Sequence, residues 1–426
     1  MSITISKSVR PLSPLVFFSS FSPYLSCTSA IPRNERRADT STFGSKELKK
    51  KGHQPLSGDS TNVMNKEVTF CKAAEARAED KAQVKLVSIL FRHGDRTPDV
   101  SIGESYPTQP ELDPKNNYFP VGPGGLTNEG KLRLYNFGQT LRKKYDKFLG
   151  PLYYPSVVES RSTDYERTKM SLQLVLNGLF PPAPCQQWRN GVDWQPIPTL
   201  YARKEDDWIL RPDLNPKALA ATKRYEKTPE YQKRFSDMKE LGKYLEKITN
   251  KSYENILDLA LLYVTLAREA SMGKELPAWS KDLFPNGRLL KAGTFYFDAQ
   301  SVNDEIRRLH GGALLRKITD DFASCRNGTL EEGKKLYLYS AHDLNVAGLL
   351  GALGIWKSHM PEFSSAVIIE LLECDGEYFI KIIHYLGIPP TFVEMRLPGC
   401  EKLCPMDKFM DVLKHVIPTD EDLNRT

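Results

Sequence analysis

The chain alternates between short apolar runs and segments in which apolar residues recur at helical spacing. Residues 84–91 form the most apolar run, and its lack of polar alternation predicts a strand that is covered on both faces. A helical pattern follows from Thr127, a second short strand is predicted at residues 157–158, and a helix is predicted over 168–179, ending before Pro181 and Pro182. This order of strand, helix, strand and helix favours a parallel α/β sheet.

The middle of the chain has a different composition. Residues 216–270 are rich in Lys, Glu, Leu and Tyr and contain few strand-like runs, which predicts a helical insert that we place at 201–289. The α/β pattern resumes with a helix over 302–322, a strand at 336–339 and a helix over 343–353. Two strands at 366–372 and 378–385, joined by Glu-Cys-Asp-Gly-Glu, form a hairpin signal. The α/β domain is therefore predicted to comprise residues 81–200 and 290–420.

The first 80 residues differ from the rest and leave two interpretations open. Lys7 and Arg10 precede an apolar stretch over residues 12–25, and Thr28-Ser29-Ala30 provides a small-residue cleavage site, as in a signal peptide. Prolines and serines interrupt that stretch. The segment is therefore either a cleaved leader or a disordered extension, including one that arises from a wrong gene model.

Composition and charge exclude several classes of protein. With 40% hydrophobic residues the chain is too apolar to be wholly disordered. No apolar stretch reaches the roughly 18 residues that span a bilayer, so we expect a soluble chain. The net charge of +6 is uneven, because residues 1–80 hold 12 Lys+Arg and 8 Asp+Glu, a net of +4. The remaining +2 leaves no dense basic face for nucleic-acid binding.

Three polar motifs follow predicted strands. The sequence Arg92-His93-Gly94-Asp95-Arg96 comes directly after the strand at 84–91. In a parallel sheet, ligands bind beyond the carboxyl ends of the strands, and two guanidiniums around an imidazole suit a tetrahedral oxyanion such as phosphate.

The other two motifs are ambiguous when each is taken alone. His342 and Asp343 end a strand and begin a helix, where Asp343 could serve only as a cap. Arg161 follows the strand at 157–158 and could reach the same anion, although an arginine beside acidic residues is usually a structural ion pair.

Together the three motifs resemble the histidine acid phosphatase family of the histidine phosphatase superfamily. The match rests on RHGDRTP at 92–98, RSTD at 161–164 and SAHD at 340–343, in the family's order, with LFPP, WQPIP and LPGCEKLCP between and after them. The resemblance covers residues 84–418. It implies a phosphoglycerate mutase-like α/β fold, with a mixed, mostly parallel central sheet flanked by helices and a smaller helical insert.

The resemblance also implies a role for each site residue. His93 would be the nucleophile that forms a phosphohistidine, and Asp343 would protonate the leaving oxygen. The phosphate would be bound by Arg92, Arg96, Arg161 and His342. It implies no metal or cofactor, since arginines supply the positive charge, and the substrate would be a small phosphate monoester. The resemblance leaves open whether the protein forms a homodimer.

The expected arginines have opposite consequences for the two catalytic groups. They disfavour a protonated imidazole, so His93 stays neutral in acid, but they also lower the pKa of Asp343, which is unfavourable for a proton donor. We expect the bound phosphoryl anion to offset this. Three alternatives stay open: a lysophospholipid phosphatase, a phytase-like enzyme, and a secreted allergen-like protein without activity.

The cysteines and sequons suggest an extracellular or lysosomal protein. The chain has seven cysteines, of which Cys400 and Cys404 match a local disulfide of the family, while the pairing of Cys185, Cys325 and Cys374 is undetermined. No Cys/His cluster has zinc spacing. Sequons at Asn250, Asn327 and Asn424 fit a glycoprotein.

Overall fold

The computed structural model of the protein describes residues 81–109 and 118–423. The predicted leader or extension over residues 1–80 and the sequon at Asn424 lie outside these residues.

Strands and helices alternate along the described chain. The strands are β1 (Gln83–Arg92), β2 (Val158–Ser162), β3 (Leu200–Tyr201), β4 (Leu336–Ala341), β5 (Ala366–Cys374), β6 (Glu377–Tyr385), β7 (Phe392–Met395) and β8 (Leu403–Pro405). The α-helices are α1 (Asn128–Leu149), α2 (Glu166–Leu179), α3 (Pro216–Glu226), α4 (Pro229–Thr249), α5 (Ile256–Ser271), α6 (Arg288–Asp298), α7 (Asp304–His310), α8 (Gly312–Arg326), α9 (Asp343–Ala352), α10 (Met406–Leu413) and α11 (Asp420–Leu423).

All eight strands belong to one mixed sheet, in the order β3-β2-β4-β1-β5-β6-β7, with β8 also paired to β6. Strands β3, β2, β4 and β1 are parallel. The pairings from β1 to β5, β5 to β6, and β6 to β7 and β8 are antiparallel. The mixed α/β architecture is confirmed. Four of the eight described strands are parallel to one another, whereas the sheet was predicted to be mostly parallel.

The predicted hairpin explains the antiparallel half. Strands β5 and β6 are joined by Asp375 and Gly376 alone, since Cys374 pairs with Glu377. Both turn residues have positive φ, 52° and 85°, as a two-residue turn of type I′ requires. A turn this short can join only antiparallel strands.

The predicted helix over 302–322 is wrong as a single element. The structure has two helices there, α7 and α8, separated at Gly311. A Cβ on Gly311 would lie 2.0 Å from the carbonyl oxygen of Gly348 in α9. The break therefore occurs where a glycine allows α9 to approach the backbone.

Helices cover both faces of the sheet and also form a separate cluster. Apolar residues of α1 and α2 pack on one face, and those of α8, α9 and α10 pack on the other. A third apolar cluster joins α3, α4, α5, α6 and α7 and includes Tyr106. Helices thus occupy the predicted insert, while the domain limits stay a prediction.

The structure contains the expected disulfide between Cys400 and Cys404. Cys185, Cys325 and Cys374 are free thiols. Within residues 81–109 and 118–423, we find no helix with the length and apolar character that crossing a membrane requires.

Candidate active site

The three sequence motifs meet at one edge of the sheet. Strands β1, β2 and β4 are adjacent and parallel, so their carboxyl ends lie together. In this register Arg92 of β1 is opposite Ala341 of β4, and Ser162 of β2 is opposite Ser340. The residues that follow each strand therefore surround a common space, as is usual for ligand sites in parallel sheets.

His93 lies in a cavity of about 280 Å³ at this edge, and its side chain is buried. Its Nδ1 is 2.9 Å from the carbonyl oxygen of Gly94. A carbonyl only accepts hydrogen bonds, so Nδ1 carries the proton and Nε2 has a free electron pair. Gly94 is required because a Cβ there would lie 2.5 Å from the carbonyl oxygen of Gly130 in α1.

Four arginines line the same cavity. Arg211 is paired with Asp213, and the other three are Arg96, Arg167 and Arg268. The side chains of these three are almost completely buried, and the Nε atom of each has no hydrogen-bond partner in the protein. A buried donor without an acceptor costs about 1–3 kcal/mol. These N–H groups therefore favour a ligand that supplies acceptor oxygens, as an oxyanion does.

Glu104 orients two of these guanidiniums. Its two carboxylate oxygens accept hydrogen bonds of 2.8 Å from Nη1 and Nη2 of Arg96, and it forms an ion pair with Arg268 of α5. Burial alone would raise the pKa of Glu104, but Arg268 and Arg96 lower it to about 2. Glu104 is therefore ionised even in acid.

Arg92 holds the predicted proton donor. Its Nη2 lies 2.9 Å from Oδ2 of Asp343, and its Nη1 donates to the carbonyl oxygen of Pro361 at 2.5 Å. Its guanidinium carbon is 4.2 Å from the centre of the Phe363 ring. Arg92 is not among the residues that line the cavity, so its contact with an oxyanion stays a prediction.

The structure does not place Arg161, the third predicted anion-binding arginine, among the residues that line the cavity. Arg161 is still within β2, and its Nη2 donates to Oδ1 of the buried Asp207 at 2.8 Å. The arginine that lines the cavity is Arg167, six residues further along the chain in the first turn of α2. Its Nη1 lies 3.3 Å from Oδ2 of Asp99, and its guanidinium carbon is 4.3 Å from the centre of the Tyr165 ring.

The sequence also contains a signal for Arg167, which lies outside the three motifs. The amino terminus of a helix is the positive end of its dipole, so a buried arginine in the first turn is unfavourable there. Arg268 of α5 has no comparable signal, because its position depends on how the insert packs.

His342 and Asp343 lie at the amino terminus of α9, beside His93. The ring centres of His342 and His93 are 5.5 Å apart, and Nε2 of His342 is 3.0 Å from Oγ1 of Thr163. The RSTD motif thus contributes Thr163 to the site rather than Arg161. Asp343 lines the cavity, and its Oδ1 accepts a hydrogen bond of 3.0 Å from the backbone N–H of Leu344.

The buried arginines determine the charge of each group in the site. Burial, followed by Arg167, Arg96 and Arg92, holds the pKa of His93 well below its ordinary value, and burial and Arg167 do the same to the pKa of His342. Burial would raise the pKa of Asp343, but Arg92, Arg268 and Arg96 together lower it. The free site therefore combines neutral imidazoles with an ionised carboxylate.

This arrangement suits nucleophilic attack on an oxyanion. A neutral imidazole with a fixed proton presents an electron pair, guanidiniums neutralise charge, and a carboxyl group is positioned for proton transfer. Among the described residues, no group of three or more His, Cys, Asp and Glu is arranged to hold a metal ion.

Comparison with known proteins identifies the family. A family model described as the histidine phosphatase superfamily, branch 2, matches residues 83–385. The chain belongs to this superfamily. The histidine phosphatase is 40% identical to the venom acid phosphatase of Apis mellifera over 343 residues, which cover 80% of this chain and 88% of that protein. It is 32% identical to human prostatic acid phosphatase, covering 79% and 86% of the two chains.

Solved structures share the fold of this histidine phosphatase at lower identity. The phytase from Citrobacter braakii aligns with a TM-score of 0.59 and 20% identity, over 81% of this chain and all of that one. The apo phytase of Hafnia alvei aligns with a TM-score of 0.59 and 18% identity, over 81% and 98% of the two chains. At these identities the likeness shows the fold alone.

Arg167 and Arg161 differ in their expected effect on anion binding. We expect Arg167→Ala to weaken binding of inorganic phosphate by about ten- to a hundredfold, because a hydrogen bond to a charged group contributes about 1.5–3 kcal/mol. Arg161→Ala, the control, should change the Kd by less than about threefold while lowering Tm, because it removes the ion pair of the buried Asp207 carboxylate. Isothermal titration calorimetry measures both, and equal losses of affinity would contradict the assignment.

The lowered pKa of His93 predicts how acid affects stability. Below about pH 6.5 the unfolded chain protonates His93 while the folded chain does not, so the free energy of unfolding falls as pH falls. The loss is at most about 1.4 kcal/mol for each pH unit until the folded pKa is reached. His93→Gln should reduce this slope between pH 6.5 and 5, as measured by urea unfolding. Identical slopes in the two proteins would contradict a neutral buried imidazole.

Proposed function

We propose that this histidine phosphatase hydrolyses phosphate monoesters as an acid phosphatase, through a phosphohistidine at Nε2 of His93 and with Asp343 as proton donor. One observation carries the proposal. The Gly94 carbonyl holds the proton on Nδ1 of a buried imidazole, so that a free Nε2 pair lies in a cavity lined by guanidiniums. The named acid phosphatases to which the chain is similar support the substrate class.

The substrate phosphoryl group would accept hydrogen bonds from the arginines of the cavity. Arg96 and Arg167 supply Nε–H donors that no protein group occupies, and His342 lies beside His93. Arg268 adds a fourth charge to those of Arg92, Arg96 and Arg167. Such a site lowers the barrier mainly by positioning and by stabilising the negative charge of the transition state.

The reaction proceeds in two displacements. In the first, the Nε2 pair of His93 forms a P–N bond while the P–O ester bond breaks, and the leaving oxygen takes a proton from Asp343. In the second, a water oxygen attacks phosphorus and gives its proton to Asp343. The P–N bond breaks, its electron pair returns to Nε2, and inorganic phosphate is released.

The low pKa of Asp343 explains why an acid optimum is expected. In the free site Arg92, Arg268 and Arg96 favour the carboxylate. A bound phosphate carries negative charge that opposes those arginines, so the protonated acid becomes more favourable in the complex. Lower pH also favours the protonated form of Asp343. His93 remains neutral because its burial and the same arginines lower its pKa.

We also infer that the protein passes through the secretory pathway. The relatives include venom, prostatic and lysosomal acid phosphatases, and a Cys400–Cys404 disulfide suits an oxidising compartment. Asn250 and Asn327 of the two described sequons are exposed and accessible to glycosylation.

A rapid-quench experiment with p-nitrophenyl phosphate tests the two catalytic roles together. Nitrophenolate leaves without protonation, so Asp343→Asn should still form the phosphoenzyme but hydrolyse it slowly, and labelled phosphohistidine should accumulate. His93→Gln should form none. With an alkyl phosphate, Asp343→Asn should lose at least about a hundredfold in kcat/KM, within the usual contribution of general acid catalysis.

The contrast between the two esters is the internal control of that experiment. An Asp343→Asn enzyme that kept the wild-type rate with alkyl phosphates would exclude Asp343 as the proton donor. Labelled phosphoenzyme in His93→Gln would assign the nucleophile to another residue.

Glycosylation is tested in protein secreted from insect cells. We expect endoglycosidase digestion to lower the mass of the wild-type protein, and Asn250→Gln and Asn327→Gln each to remove one glycan, because both side chains are accessible. Mass spectrometry of the intact chain measures this. Retention inside the cell with an unchanged mass would contradict the secretory route.

A further inference from the structure

Helix α5 forms one wall of the active-site cavity. Leu257, Leu261, Val264 and Arg268 line the cavity, and their spacing of four, three and four residues places them on one face of the helix. Arg268 pairs with Glu104 beside the phosphate-binding arginines, whereas the other three are apolar. At a rise of about 1.5 Å per residue, the wall runs about 16 Å from Arg268 to Leu257.

A second segment extends this apolar surface. Ile102, in the short 3₁₀ turn Val100–Ile102, also lines the cavity. The backbone that follows it is held against the insert, because Nζ of Lys251 lies 2.9 Å from the carbonyl oxygen of Ser105. Gly103 has a φ of 91°, and a Cβ built on it would lie 3.3 Å from Cδ1 of Leu261. The two apolar segments are therefore held in contact before any ligand binds.

The outer part of this surface is open to water. Leu257 is 40% exposed and Ile102 is 41% exposed, although both line the cavity. An apolar group that extends outward from the arginines would cover them, and removing apolar surface from water favours binding.

Beyond the arginines assigned to the phosphate, the described residues of the cavity wall offer no unpaired cation for a second anion. Arg211 is held by Asp213 through two hydrogen bonds, Nε to Oδ1 at 2.8 Å and Nη2 to Oδ2 at 2.7 Å. Nζ of Lys204 lies 4.1 Å from the centre of the Tyr165 ring, but Lys204 is not among the residues that line the cavity. A polyphosphorylated leaving group would need further free cations at this wall.

We propose that the α5 wall is a leaving-group subsite for phosphate monoesters of apolar alcohols, both aryl and alkyl, in preference to phosphates of polyols and sugars. The phosphate lies against the arginines, and the leaving group extends along Val264, Leu261 and Leu257 towards Ile102. This inference rests on the proposed function for its reaction, while the binding preference is measured separately.

The test uses alkylphosphonates, whose P–C bond the proposed reaction does not cleave. We expect the Kd from isothermal titration calorimetry at pH 5 to fall about twofold for each added methylene from methyl- through butyl- and hexyl- to octylphosphonate. This is about half the effect of complete burial, because the outer part of the α5 wall is open to water. The polar 2,3-dihydroxypropylphosphonate should bind no more tightly than methylphosphonate.

Two variants of the α5 wall and one matched control show whether Leu257 and Leu261 cause the chain-length dependence of the Kd. Leu257→Asn and Leu261→Asn should each lower the ratio of methyl- to octylphosphonate Kd by at least about fivefold, and the ratio cancels any effect on phosphate binding itself. The control is Leu219→Asn on α3, a leucine that is 48% exposed and does not line the cavity. It should keep the wild-type ratio.

The outcomes separate this inference from the proposed function. Equal Kd values across the series, or tighter binding of the dihydroxypropyl compound, would overturn the subsite even if the enzyme hydrolyses every ester. Chain-length dependence that Leu257→Asn and Leu261→Asn leave intact would also overturn it. If the series behaves as expected and no monoester is hydrolysed, the subsite stands and the proposed function fails.

Discussion

The site depends on holding several guanidiniums out of water around a neutral imidazole. Cations in a buried site repel each other and lose hydration, and burial together with Arg96 lowers the pKa of Arg167 to about 10 and that of Arg268 to about 9. Both arginines nevertheless remain charged in acid. The arrangement is tolerable because Glu104 is shared by Arg96 and Arg268, and because Asp343 pairs with Arg92.

The same constraint produces the chemistry that we propose. A site with more buried cationic donors than protein acceptors is matched to a ligand that brings negative charge and oxygen atoms. Until such a ligand binds, the arginines keep His93 unprotonated and Asp343 ionised. A bound phosphate opposes these arginines and so favours the protonated form of Asp343, which the first displacement needs together with an electron pair on His93.

The sheet and the insert contribute different parts of the site. The segments that follow β1 and β4 and the start of α2 carry His93, Arg96, Arg167 and Asp343. The insert contributes Arg268 and the apolar wall. Glu104 joins the two, because one carboxylate contacts Arg96 after β1 and Arg268 in α5. In the function that we propose, the nucleophile and the proton donor therefore lie at the sheet, and the leaving-group wall lies mainly on the insert.

Much of this protein could be predicted from sequence because the relevant signals are local. The strands at β1 and β4, the hairpin at Asp375-Gly376, and the positions of His93 and Asp343 at strand ends all depend on residues a few positions apart. The prediction was wrong where distant packing decides, since the single helix expected over 302–322 is divided into α7 and α8 at the point where α9 approaches Gly311.

The arginines of the site show the same division between what the sequence predicts and what the tertiary structure decides. The sequence by itself determined that an imidazole, arginines and an Asp meet at the edge of an α/β sheet. Only the tertiary structure decided that Arg161 pairs with Asp207 while Arg167 and Arg268 line the cavity. The physical reason is that a long side chain reaches whichever partner folding brings near it, and Asp207, Glu104 and the α5 wall are brought there by contacts between segments far apart in the chain.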